Sequence, residues 1–446
     1  MSIRAGETES PSPAVAGAGT AAPLPSVRYS HYVLALLTLM YTFNYLDRYV
    51  LTILVVPIQA ELNLSDSAMG FMMGPAFAIF YTALGIPIAR LADTHSRRVI
   101  LSVSFALWSA MTALAGLART GLELTATRVG VGIGEAGGTA PAHSLISDYF
   151  PPERRTLGFG VFQQGVYLGQ MLGLMVGALL VAQVGWRMTF VIVGLPGVVL
   201  ALLLYFTVKD PVRGALDPLP PLPPEQSSTP SMREVFAILW RRPSFRFLMV
   251  GAGIASFGGT GFGFWLPVLF ERAHGMTLME VGLQLGPTMA ISGSMGAILA
   301  GVVTDRLSLR DRRWLMWIPG ASVLTSLPFL IGVCLAPTAG GALLSAIPAG
   351  LLGGGWAPAA YAAAQALAPP RMRALGASLL ILCITLLGMG AGPQAVGLLN
   401  DALAPEYGAS AVRYSMVIVI STCAIGALLL LWGSRSFERD CQGADS

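Results

Sequence analysis

The chain has 446 residues, of which 54% are hydrophobic and only 11% charged, with a mean hydropathy of +0.67. Ordinary soluble domains carry charge on about a quarter of their residues, so the composition excludes soluble domains, a disordered chain and a disulfide-built secreted domain. The formal net charge of +4 gives no support to a nucleic-acid binder, and Cys334, Cys383, Cys423 and Cys441 lack the spacing of a disulfide framework or a metal site.

A membrane-spanning helix needs about 20 apolar residues. Residues 1–30 contain no such run and are rich in Ala, Pro, Ser and Gly, so they are expected to form a disordered cytoplasmic tail rather than a signal peptide. Six apolar runs follow, near 31–57, 68–91, 99–118, 122–142, 156–184 and 187–208. Pro211, Pro218, Pro220, Pro221, Pro223, Pro224 and Pro230 then mark 209–243 as a cytoplasmic linker, with a short interfacial helix expected near 231–241. Six more runs lie near 244–270, 280–304, 313–337, 340–363, 374–399 and 411–433, before a tail at 434–446. The predicted fold is all-α and integral to the membrane: twelve transmembrane helices in two six-helix bundles, 31–208 and 244–433, in parallel pseudo-repeat.

Cytoplasmic loops retain Lys and Arg. With both termini inside, the inward loops hold Arg90, Arg97, Arg98, Arg154, Arg155, Arg241, Arg242, Arg312 and Arg313, whereas the outward loops hold Arg119, Arg187, Arg272 and Arg413. The protein is therefore expected in a cell membrane, the inner one in a bacterium, with both termini cytoplasmic. The loop after the second run reads Ala89-Arg90-Leu91-Ala92-Asp93 and then Arg97-Arg98; the loop after the eighth reads Gly301-Val302-Val303-Thr304-Asp305-Arg306 and then Arg312-Arg313. Acids contribute little to orientation, so the matched Asp points to an internal repeat of the kind secondary transporters use. These loops resemble the duplicated Gly-x-x-x-Asp-Arg/Lys-x-Gly-Arg-Arg/Lys signature of the major facilitator superfamily, with Ala89, Thr94 and Ser96 departing from it in the first copy. The resemblance implies the major facilitator fold and assigns Asp93, Arg97, Arg98, Asp305 and Arg306 to a cytoplasmic gate that clamps shut in the outward-facing state.

A charge at the bilayer centre costs at least roughly 2.5–3.5 kcal/mol and so needs a partner and usually a role. Asp47 and Arg48 lie near the middle of the first run; Arg128 and Glu135 lie seven residues apart in the fourth, about two turns and so on one face. Tyr41, Asn44, Tyr45 and Arg48 add a polar stripe at i, i+3, i+4 and i+7. Desolvation favours the neutral acid and a nearby guanidinium the carboxylate, so an acid whose Arg partner can be taken away has a switchable proton affinity. Asp47 and Glu135 are accordingly assigned to proton coupling, and Arg48 and Arg128 to a relay contested between these acids and an anionic substrate. The competing reading is a static bridge between Arg128 and Glu135.

Finer strings narrow the resemblance. Asn44-Tyr45-Leu46-Asp47-Arg48, Gly132-Ile133-Gly134-Glu135-Ala136, Phe150-Pro151-Pro152-Glu153-Arg154-Arg155, Phe264-Trp265-Leu266-Pro267, Arg310-Asp311-Arg312-Arg313 and Gly390-Ala391-Gly392-Pro393 are similar to the spinster branch of that superfamily. It implies transport of a lysophospholipid or sphingoid phosphate, with protons as the coupling ion. The substrate cavity is expected to use Tyr41, Asn44, Tyr45, Gln163, Gln164, Tyr167, Thr260 and Trp265, while the Gly165, Gly169, Gly173 and Gly177 ladder serves helix packing. The alternative is a proton symporter of small organic anions such as hexuronates. His31, His95, His143 and His274 are isolated, so no enzyme site, cofactor or metal is expected. The expected partners are an amphipathic substrate and membrane lipids, with the chain acting as a monomer.

Overall fold

The structure is a computed structural model that describes residues 26–214, 216, 232–369 and 372–445. Most of the expected N-terminal tail and of the Pro-rich linker lies outside these residues. The described residues form helices, broken where the sequence supplies Gly, Pro or a cap. Helix α1 (Val27–Ile53) starts at Ser26, whose hydroxyl accepts from the Tyr29 N–H, and α2 (Val55–Leu62) ends at Asn63 in the left-handed conformation. Helices α3 (Asp66–Met73) and α4 (Pro75–Thr94) form the second passage, interrupted at Gly74. Then come α5 (Arg97–Ala115), and α6 (Gly121–Glu135) with α7 (Thr139–Tyr149). Helix α8 (Pro152–Thr207) covers two passages, because Gly185 at φ 73° breaks it in a conformation that a side chain would strain.

The second half follows with α9 (Met232–Trp240), α10 (Pro243–His274), α11 (Leu278–Ser308), α12 (Trp314–Leu335), α13 (Ala339–Gly353) and α14 (Trp356–Ala366). Helix α15 (Arg373–Cys383) runs through a π-helical segment, Ile384–Ala391, into α16 (Gly392–Tyr407), and α17 (Ala411–Asp445) closes the chain. Among the described residues, eight stretches are long and apolar enough to cross a membrane, and two of them, at 56 and 68 residues, are each long enough to cross twice. The passages outside that set are the first and the fourth, which carry the buried charges. The twelve-helix arrangement expected from the sequence is the one observed.

Glycines decide how closely the helices approach. A Cβ on Gly165 would stand 3.0 Å from the Thr38 carbonyl oxygen, one on Gly173 would stand 2.8 Å from Tyr49 Cβ, and one on Gly169 would collide with the Thr42 carbonyl. The ladder thus seats α8 directly on α1. Gly169→Val should force these helices apart and cost about 1–3 kcal/mol, read as a lowered melting temperature in detergent; an unchanged value would show that the contact tolerates bulk.

The halves meet along two seams. At one, a Cβ on Gly70 would stand 2.7 Å from Pro393 O and one on Gly74 2.6 Å from Gly390 O; at the other, a Cβ on Gly282 would stand 2.6 Å from Leu174 O. Farther along α4, α8 and α11, a Cβ on Gly85, Gly160 or Gly301 would meet nothing within 4 Å among the described residues. Hydrogen bonds of Arg272 and Asp401 with Asp66, Ser67 and Gln59 join the halves at the end remote from Arg97 and Arg306, so among the described residues the halves touch there and separate toward the basic loops.

Candidate functional site

The four deep charges are all buried, with Asp47 at 1%, Arg48 at 7%, Arg128 at 3% and Glu135 at 1% exposure. Glu135 is the last residue of α6, and that glycine-rich helix is held tightly between neighbours. A Cβ on Gly132 would lie 2.6 Å from Phe77 O on α4, and one on Gly134 would lie 2.6 Å from Trp108 N on α5. This packing carries Glu135 to α1, where Arg48 Nε donates to its Oε2 at 2.8 Å and Arg48 Nη2 donates to the same oxygen.

The ion pair is thus Arg48–Glu135, not Arg128–Glu135. Two turns separate Arg128 from Glu135 by about 10 Å along the axis, whereas Arg48 approaches from the side. Its guanidinium lies over the rings of Phe77 (4.8 Å), Tyr45 (4.9 Å) and Tyr81 (5.5 Å), a cationic plane on aromatic faces. Arg48 Nη1 also donates to Met389 Sδ at 3.6 Å, which joins the cluster to the π-helical segment of the other half. π-Helical turns recur at functional sites, and Met389 packs against the cores of both halves.

Several valences in the cluster stay open. Asn44 Oδ1, Asp47 Oδ1, Arg128 Nε and Glu135 Oε1 are buried without a hydrogen-bond partner among the described residues. Asp47 Oδ2 accepts from Thr112 Oγ1 at 3.1 Å, and Arg128 lies 6.0 Å from the Phe77 ring. A buried polar atom without a partner costs about 1–3 kcal/mol, which sets these four atoms apart from the bonded Arg48–Glu135 contact.

The remaining expected site residues divide. Tyr41 stacks on Phe162 at 4.3 Å and meets Tyr45 edge-on at 5.2 Å. Gln164 Oε1 accepts from Ser294 Oγ at 2.8 Å across the fifth–eighth seam, and the Tyr167 ring covers Gly293. Gln163 is exposed and Thr260 half-buried. Trp265 is fully buried, and its Nε1 donates to Pro393 O at 2.9 Å; it ties α10 to α16 and leaves no ring surface for a ligand.

At the basic end, Asp93, Asp305 and Arg306 are exposed, and Arg98 lies 5.2 Å from the Tyr205 ring. Arg97 is buried instead, bonded to Asp148, to Asp210 Oδ1 at 2.8 Å and to Pro211 O at 2.8 Å, all within its own half and its exit segment. Its guanidinium is thus fully engaged within one half.

The sequence reading missed a second cluster, at the closed end. Arg272 of α10 donates to both oxygens of Asp66, at 2.7 and 2.8 Å, and to Gln59 Oε1 at 2.7 Å. Asp401 of α16 accepts from the Asp66 and Ser67 backbone N–H groups at 3.0 and 2.9 Å, at the start of α3. Asp66 opens α3 at a polar turn, and Asp401 lies inside α16 beyond the apolar run expected at 374–399; at neither position does anything in the sequence separate a lock from a solvated acid.

Two six-helix bundles that touch at one end, diverge at the other and bury charges beside their seam define a membrane transporter rather than an enzyme. The sequence profile of the Major Facilitator Superfamily matches residues 37–393, and the chain belongs to that superfamily. Within it the resemblance is to spinster proteins. A bacterial homolog of the human lysosomal transporter spinster, solved in an inward-facing and unoccupied conformation, superposes with a TM-score of 0.84 at 32% identity, covering 93% of this chain and 99% of that one. An MFS-type efflux pump of Mycolicibacterium smegmatis is 33% identical over 405 residues, covering 91% of this chain and 92% of that protein. Spinster homolog 3 of Danio rerio is 27% identical over 447 residues, covering 94% and 88%.

Proposed function

We propose that the protein is a proton-coupled secondary transporter of a single-chain anionic or zwitterionic lipid, a lysophospholipid or sphingoid phosphate, working by alternating access. The observation that carries this reading is the buried Arg48–Glu135 pair, which has one carboxylate oxygen open and a thioether contact to the opposite half. An anionic head group that takes Arg48 leaves Glu135 without its counter-ion, and a buried carboxylate in that position binds a proton. Proton and substrate thus compete for one guanidinium, and that competition is the coupling. The aromatic rings around Arg48 and the sparse charge within the second-half passages suit an amphipathic ligand. With the basic-loop end taken as cytoplasmic, both termini lie inside and the divergent side opens to the cytoplasm. Asp93, Asp305 and Arg306 then close that side when the far end opens.

A relative supports the lipid: a sphingosine-1-phosphate transporter of Danio rerio is 26% identical over 420 residues. A second reading, symport of small organic anions with protons, draws on a probable L-galactonate transporter of Escherichia coli, 26% identical over 269 residues and 59% of this chain. Proteoliposome flux under an imposed pH gradient separates the two. We expect gradient-dependent movement of the lysophospholipid or sphingoid phosphate. Movement of a hexuronate alone would replace the lipid, and flux indifferent to the gradient would remove the coupling.

A further inference from the structure

Asp47 and Arg48 are neighbours on α1 yet face different surroundings. Arg48 turns to α6, to the α4 aromatics and to Met389 of the other half. Asp47 turns to α5, where the one side-chain hydrogen bond it makes among the described residues comes from Thr112. Thr112 has no exposed surface, and Asp47 has 1%. The charged groups acting on Asp47 are Glu135 and Arg128 of α6 and Arg48 of α1 itself; the charges of α5, Arg97 and Arg98, stand at that helix's opposite end.

The Thr112 hydroxyl also departs from the habit of its kind in this chain. Thr38, Thr42, Thr125, Thr189, Thr288 and Thr304 each donate to the carbonyl four residues back, the default for a hydroxyl inside a membrane helix. Thr112 gives up that local partner and reaches across to α1. A hydroxyl can donate to a carboxylate and accept from a carboxylic acid, so one side chain can hold Asp47 in place in both protonation states.

We propose that Thr112 is a positioning residue for the Asp47 carboxyl, keeping it aimed at α5 and able to cycle its proton apart from the Arg48–Glu135 pair that substrate contests. This rests on the proton-coupled reading above, and its test has a readout that does not depend on transport. Purified protein is titrated by infrared difference spectroscopy, with the protonated carboxyl band of Asp47 assigned by its loss in Asp47→Asn. Thr112→Val keeps the shape and removes the donor, so the ionised acid loses the hydrogen bond from Thr112 and the proton is held to higher pH. We expect the band's midpoint to move alkaline by about one pH unit, a tenfold change in proton concentration, and the pH profile of transport to move with it. Thr112→Ser, which keeps the hydroxyl and loses the methyl, should restore both. A purely packing role predicts the reverse order, with Val benign and Ser the more disruptive change. An unmoved band in Thr112→Val, or a larger shift in Thr112→Ser than in Thr112→Val, overturns the assignment. A band that shifts as expected in a protein whose transport ignores pH upholds Thr112 and overturns proton coupling instead.

Discussion

Glu135→Gln is expected to abolish gradient-driven accumulation of substrate while leaving downhill exchange measurable. The substitution keeps the shape of the side chain and removes the charge that Arg48 contacts through two nitrogens. No other acid bonds to the Arg48 guanidinium among the described residues, so the variant buries a cation whose neighbours are a neutral amide, Tyr45, Phe77, Tyr81 and Met389, with no counter-ion bonded to it. Removing one member of a buried pair costs about 3–5 kcal/mol, so the melting temperature should also fall. Pairing it with Arg48→Met separates the two effects. The double variant removes both charges and should regain stability relative to Glu135→Gln, yet it should transport nothing, because the competition for the guanidinium is gone. Asp47→Asn should likewise lose accumulation. Accumulation by Glu135→Gln at the rate of the unmodified protein would refute the role given to this pair.

Arg272→Ala is expected to shift the conformational balance away from the form described here. Arg272 makes three hydrogen bonds across the seam, to Asp66 and Gln59 of the first half. Its side chain is 27% exposed and that of Asp66 9%, so solvent screens part of the attraction. Charged hydrogen bonds of this kind contribute about 1.5–3 kcal/mol, and 1.4 kcal/mol is about tenfold in a population ratio. The state open at this end should therefore gain roughly tenfold or more. Spin labels on Asn63 and Tyr407, close to the lock on opposite halves, would read the gain as a longer distance in a larger fraction of molecules. Asp401→Ala, which frees the start of α3, should add to the shift. An unchanged distance distribution in the double variant would mean that the apolar contacts around Gly70 and Gly74 hold this end closed by themselves.

The twelve passages, the duplicated loops and the four deep charges were legible from the sequence because each follows from a local cost. Lipid penalises every unpaired polar group wherever it falls, so Asp47, Arg48, Arg128 and Glu135 stand out against apolar neighbours. Trp265 shows where such reasoning stops: an indole in a membrane helix serves a cavity or a tether equally well by composition, and only the Pro393 carbonyl 2.9 Å from its Nε1 decides for the tether. Arg97 is similar, since a basic residue in a gate-like loop reads as a clamp between halves until Asp148 and Asp210 are seen to hold it within one.

By itself, then, the sequence determined that this is a membrane transporter of two repeated halves and which residues carry charge where charge is costly. The tertiary structure decided who pairs with whom. Arg48 meets Glu135 across 87 positions of chain, Thr112 meets Asp47 across 65, and Arg272 meets Asp66 across 206. Those meetings depend on how closely glycine faces let helices approach and on which ends of the two halves touch. Spacing along a single helix encodes neither.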